Sequence, residues 1–134
     1  MTAGKPQQAP GRFRKMEGSL KIDFAKMDGL APAIVQDAAT GEVLMLGFLN
    51  ETSYAKTLET GFVTFWSRTR QKLWMKGETS GNRLRVVEAT TDCDQDALLF
   101  RVKVEGDGLV CHERTVSCFT RPVTLGAAPA AEAR

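Results

Sequence analysis

The chain has 134 residues, a length that suits one domain. Hydrophobic residues make up 43% of it, enough to furnish a core, although a chain this short gains from an oligomeric interface. Lys and Arg number 18 against 16 Asp and Glu, a net charge of only +2 that lacks the basic signature of a nucleic-acid binder, and no apolar run approaches a membrane span.

In chain order, residues 1–18 are polar, rich in Pro, Gly and Gln, and carry four basic residues between Lys5 and Lys15. They predict a flexible, solvated tail, with electrostatic attraction of a phosphate-rich substrate as the functional alternative. The polar start holds no apolar segment of a signal peptide, and the cysteine count is odd, which together point to a reducing, cytoplasmic setting. Ala33–Asp37 reads as a strand, 38–42 as a turn and Val43–Phe48 as its hairpin partner. Asn50 is suited to cap a helix over Glu51–Thr60 that stops at Gly61, with Tyr54 and Leu58 on its buried face. Further strands are expected at Phe62–Arg68, Leu73–Lys76, Leu84–Ala89, Leu98–Glu105 and Thr115–Thr120, and residues 125–134 form a second low-complexity tail. The pattern predicts a single α+β domain over residues 19–124, built on a curved, mainly antiparallel sheet with one main helix.

The chemistry concentrates in Asp92-Cys93-Asp94-Gln95-Asp96. An extended backbone would put Asp92, Asp94 and Asp96 on one side and Cys93 on the other. Carboxylates suit Mg²⁺ or Ca²⁺, and a thiolate suits Zn²⁺. Three like charges on one face repel, which a bound dication would relieve, although acidic turns also occur with no ion. Cys93, Cys111 and Cys118 are the only cysteines, and on their count alone they read as three unrelated buried thiols. The sole histidine, His112, adjoins Cys111, and no Cys-x-x-Cys clip is present; both features favour an open zinc site over a closed finger. Arg68, Arg70, Lys72 and Lys76 form a basic cluster that suits either phosphate or a solvated strand edge. The Gly77–Gly81 loop can present backbone N–H groups to an anion or serve as an ordinary turn. Trp66 and Trp74 suit stacking on a base or plain core packing.

Several motifs occur together in one order: Phe65-Trp66-Ser67-Arg68, Leu73 to Gly81, Asp92 to Leu99, Cys111-His112 and Ser117-Cys118-Phe119. In these the chain resembles the phosphoribosyl-AMP cyclohydrolase family of histidine biosynthesis, from about Leu44 to Phe119. The resemblance implies a cytoplasmic hydrolase that adds water at C6 of the adenine of phosphoribosyl-AMP and breaks the N1–C6 bond. It implies that Cys93, Cys111 and Cys118 ligate zinc and that Asp92, Asp94 and Asp96 ligate magnesium. It further implies a homodimer in which the zinc is shared, with Cys93 from one subunit and Cys111 and Cys118 from the other. Ser67, Arg68, Trp74, Lys76 and Ser80, all within the matched motifs, are the candidate substrate contacts. Three thiolates make zinc a weak Lewis acid, so a base is useful, and His112 is the candidate for carrying the water proton to N1. The phosphoribosyl-ATP pyrophosphohydrolase domain fused to some relatives is expected on a separate protein.

The departures are local. Gly108-Leu109-Val110 replaces the family's common Gly-Pro-small run, the stretch from Cys93 to Cys111 is slightly long, and Asn82 stands where several members carry histidine and is given no catalytic role. Two rivals belong to other classes. A zinc deaminase would need a His-x-Glu and Pro-Cys-x-x-Cys signature that is absent, and a structural zinc module would close four ligands on the metal.

Overall fold

The computed structural model describes residues 21–126, so the expected tail over 1–18 and all but Leu125 and Gly126 of the one over 125–134 lie outside it. A 3₁₀ turn, Phe24–Lys26, leads into β1 (Ala31–Asp37), β2 (Val43–Leu49), α1 (Glu51–Thr60), β3 (Thr64–Ser67), β4 (Lys72–Met75), β5 (Leu84–Thr91) and β6 (Leu98–Val104). The described residues form a small α+β fold with one α-helix. No helix among the described residues is long and apolar enough to cross a membrane.

Alternation in the sequence sets the strand faces. Ala31, Ala33 and Val35 of β1 point inward, as do Leu98, Phe100 and Val102 of β6, while Ile34 and Lys103 face out. The two strands lie side by side and parallel, Ala33 opposite Leu98. Each also belongs to an antiparallel hairpin, β1 with β2 and β6 with β5, giving a mixed sheet of order β2-β1-β6-β5. The short β3–β4 hairpin is a separate two-stranded sheet packed on β2. Gly47 permits that approach, because a Cβ there would sit 2.6 Å from the Phe65 ring. Phe65 and Phe100 anchor the shared core with Leu44, Leu49, Val63 and Leu84, and Phe100→Ala at such a site would cost about 3–5 kcal/mol.

The helix begins and ends where its capping residues predict. The Asn50 side chain accepts the Ser53 N–H at 2.9 Å while Ser53 Oγ accepts the Asn50 N–H, and Gly61 closes the C-terminus with φ of 82°. Of the expected apolar pair, Tyr54 packs against the core and Leu58 does not. Leu58 is 60% exposed, Tyr54 is half-buried against the edge of Phe24, and the inward residues are Ser53 and Thr57. Thr57 explains this orientation: its hydroxyl donates to Ser53 C=O and accepts the Thr64 N–H at 2.9 Å, tying the helix to β3 through a satisfied buried polar group.

The expected strand over Thr115–Thr120 does not form. Arg114 adopts φ of 66°, and side chains then take over the bonding a ladder would have made. Ser117 Oγ donates to Val43 C=O at 2.8 Å, and only the Cys118 N–H reaches β2, donating to Leu44 C=O at 2.8 Å.

Candidate metal and substrate site

Asp92 to Ala97 is the loop of the β5–β6 hairpin, and it is a turn instead of the extended run that alternation assumed. The Asp92 carboxylate causes the turn by accepting the N–H groups of Asp96 and Ala97 at 3.0 and 3.2 Å, and Gln95 completes it with φ of 63°. The carboxylates nevertheless converge: Asp92, Asp94 and Asp96 each place an oxygen within 4.8 Å of the others. Burial, then the neighbouring Asp92 and Asp94, push the Asp96 carboxyl above its usual value. Hard oxygen donors whose mutual repulsion a dication would relieve fit Mg²⁺. Lys26, which carried no expectation, lies against this loop, its Nζ 3.2 Å from Asp94 Oδ2 and 3.5 Å from Asp96 Oδ2.

The second donor group lies beyond β6. Cys111 opens a tight turn in which its sulfur accepts the Glu113 N–H at 3.4 Å and its N–H donates to Thr115 C=O. The Glu113 N–H and the Thr115 side chain hold the Cys111 thiol below its ordinary value, which favours the thiolate a soft metal needs. Cys118 lies beside Cys111, and burial foremost, then the neighbouring Cys111, raises its thiol. Cys93, exposed on the acidic hairpin loop, does not join them. Among the described residues, the aspartate triad is the one group of three or more His, Cys, Asp or Glu side chains close enough to share an ion. One chain therefore offers zinc two adjoining thiols, which fits part of a tetrahedral set and needs at least one donor more.

A cleft of about 210 Å³ opens beside Cys111. Lys76 and Ser80 enter it from the β4–β5 connection, and His112 and Arg114 from the thiol turn. Lys76 also stands 5.4 Å over the Trp74 ring, itself 38% exposed and tilted against Phe65. Lys76, Ser80, Cys111 and His112 thus meet in one cleft with Trp74 alongside. Ser67 and Arg68 do not line it: Ser67 Oγ accepts the Arg70 N–H at the end of β3, and the Arg68 guanidinium stacks 4.1 Å over Phe48.

Sequence reading missed Asn82 and Arg114. Asn82 is buried at the floor of the cleft, donates to Asp107 Oδ1 at 2.7 Å and to Leu109 C=O at 2.9 Å, and accepts the Asp107 N–H. Asp107 in turn accepts from the Arg114 guanidinium at 3.2 Å. These bonds fix the loop that delivers Cys111, a role that shows only once residues 25 or more positions apart are brought together.

The phosphoribosyl-AMP cyclohydrolase family model matches residues 45–120. A phosphoribosyl-AMP cyclohydrolase of Solibacter usitatus (strain Ellin6076) is 56% identical over 80% of this chain and 84% of its own length. One of Brucella anthropi is 49% identical over 88% of this chain and 84% of its own length. A histidine biosynthesis bifunctional protein HisIE of Escherichia coli (strain K12) is 57% identical over 74% of this chain and 48% of its own length.

Proposed function

The chain belongs to the phosphoribosyl-AMP cyclohydrolase family and is an enzyme of histidine biosynthesis, and on that premise we propose that it hydrolyses the N1–C6 bond of phosphoribosyl-AMP with zinc and magnesium bound. The observation that carries this reading is the cleft in which Lys76, Ser80, Arg114, His112 and Cys111 meet. Such a site pairs anion-binding groups with a titratable imidazole at the edge of a thiol pair.

Cys111 and Cys118 would hold zinc together with Cys93 of a second copy in a homodimer, and Asp92, Asp94 and Asp96 would hold magnesium. Zinc supplies Lewis acidity that brings the pKa of water towards neutrality. The rest is the work of side chains. Lys76, Ser80 and Arg114 bind a phosphate of the substrate, the guanidinium by paired N–H donation and the ammonium as a point charge. Trp74, with its exposed face beside Lys76, offers a platform for the adenine. His112 takes a proton from the attacking water and delivers it to N1. The water oxygen bonds to C6, the N1–C6 bond breaks with its electron pair and the transferred proton on N1, and the remaining hydroxyl proton passes to the exocyclic imino nitrogen, so that C6 becomes the carboxamide carbon. Ser67 and Arg68 remain candidates for the second phosphate from the neighbouring hairpin. The cytoplasm is the compartment in which free thiols of this kind keep their metal.

The test is direct. Purified protein is mixed with phosphoribosyl-AMP, Zn²⁺ and Mg²⁺, and ring opening is followed by ultraviolet absorbance. Turnover that disappears on zinc chelation and returns with zinc supports the reading; a folded, zinc-loaded protein with no turnover overturns it.

A further inference from the structure

The acidic hairpin loop carries its own counter-cation. Lys26 Nζ lies 3.2 Å from Asp94 Oδ2, 3.4 Å from Asp94 C=O and 3.5 Å from Asp96 Oδ2, so it touches two of the three carboxylates that converge there. Its placement is built and not incidental. The segment before it is strapped to the loop by the Asp23 N–H, which donates to Gln95 C=O at 2.7 Å, and by Gln95 Nε2, which donates to Lys21 C=O at 2.6 Å. The Asp23 side chain, accepting the Ala25 N–H, then starts the 3₁₀ turn that ends at Lys26.

A divalent ion and an ammonium group compete for these carboxylates. Two positive centres a few ångströms apart repel, and Lys26 bonds two of the three carboxylates that a divalent ion would take. We propose that Lys26 is a resident cation of the Asp92–Asp94–Asp96 triad, bound when the divalent ion is absent and displaced when it enters, and that this exchange sets the affinity of the site for Mg²⁺. The inference rests on the reading of the triad as the magnesium site. The exposed ammonium makes only surface-strength ion pairs, so the exchange weakens metal binding without preventing it. The charge of the triad is thereby partly offset between occupancies, and the strap over residues 21–26 becomes a determinant of how readily the ion exchanges.

The test is Mg²⁺ binding by calorimetry to the zinc-loaded full chain, with Lys26→Met, Lys26→Arg, Lys21→Met and Asp94→Asn variants, each checked for native circular dichroism. Lys26→Met is expected to bind Mg²⁺ about fivefold more tightly than the parent, the scale of a lost pair of exposed ion pairs. Lys26→Arg, which keeps the charge, should stay within twofold or so of the parent, and Lys21→Met, which removes an equal charge on the same segment, should shift much less than Lys26→Met. Equal affinity in the parent and Lys26→Met, with binding lost in Asp94→Asn, would overturn the exchange while leaving the magnesium site intact. Equal gains in Lys26→Met and Lys21→Met would reduce the effect to net charge and also overturn it. Binding that is indifferent to Asp94→Asn would remove the magnesium reading and the exchange together.

Discussion

The two donor loops that flank β6 solve opposite problems. The acidic loop before it gathers three carboxylates within five residues, turned on itself by the Asp92 side chain and with its charge partly offset by Lys26. The thiol loop after it reaches across the fold for its support, to Asn82 at the cleft floor and to Val43 and Leu44 on β2, and still brings only two sulfurs together. On the proposed reading, a loop complete within one hairpin would bind its ion as a single chain, whereas a loop with half a donor set would need a donor from a second copy.

The largest effect that sharpens this contrast is all-or-none. Cys93→Ser and Cys111→Ser should each lose zinc and activity as homodimers, read by metal analysis and turnover. If the zinc is shared between subunits, equal amounts of the two refolded together should regain about a quarter of the parent activity, because half the dimers are mixed and each has one intact site of two. No regain would place all three thiols on one chain and break the contrast.

Next comes His112→Gln, expected to lower turnover by about 10²–10⁴-fold with zinc content unchanged. Near-parent turnover would remove the proton-transfer role. Asn82→Ala should destabilise the protein by about 1 kcal/mol in urea unfolding, since it leaves the half-buried Leu109 carbonyl and the Asp107 N–H without their side-chain partner. It should also weaken zinc retention while leaving Mg²⁺ binding at the acidic loop unchanged. Loss of both metals would mean that the two loops are not independent.

The smallest effect is electrostatic. The Leu109 N–H, then the Arg114 and Asn82 side chains, hold the Asp107 carboxyl below its usual value. A carboxylate depressed in the folded state stabilises above its unfolded pKa, near ~3.9, and loses that contribution as pH falls through the lower folded value. The stability gap between the parent and Asp107→Asn should therefore be present at neutral pH and shrink in acid. A gap that persists in acid would assign Asp107's contribution to shape instead of charge.

What could be read in the sequence was what is encoded by neighbours. The Asn50 cap, the Gly61 stop and the alternation in β1 and β6 act over a few residues, and they placed the helix and most strands. The same local logic failed where side chains compete with the backbone. Asp92 folds its loop by capping its own turn, and Ser117 satisfies the β2 carbonyls that a strand over Thr115–Thr120 would have used. It failed in part for α1, where Tyr54 packs on the core but Thr57 bonding to β3 turns Leu58 outward. The convergence of Asp92, Asp94 and Asp96 was legible from their spacing within five residues, and the meeting of Lys76, Ser80 and His112 in one cleft accords with the motifs that surround them. Asn82, Arg114 and Lys26 were not, since Lys26 meets Asp94 across 68 positions and no local pattern announces such a pairing.

The parallel ladder between β1 and β6 also imposes an order on folding. Each antiparallel hairpin closes through residues adjacent in the chain, but setting Ala33 opposite Leu98 closes a long loop, a slow step paid in chain entropy. The acidic loop is therefore shaped early, with its own hairpin. The sulfur-bearing turn reaches its final form only after this late closure, since β2 must already stand beside it to receive Ser117 and Cys118. On the proposed reading, the loop that would hold magnesium is shaped before the thiol pair that would hold zinc is assembled.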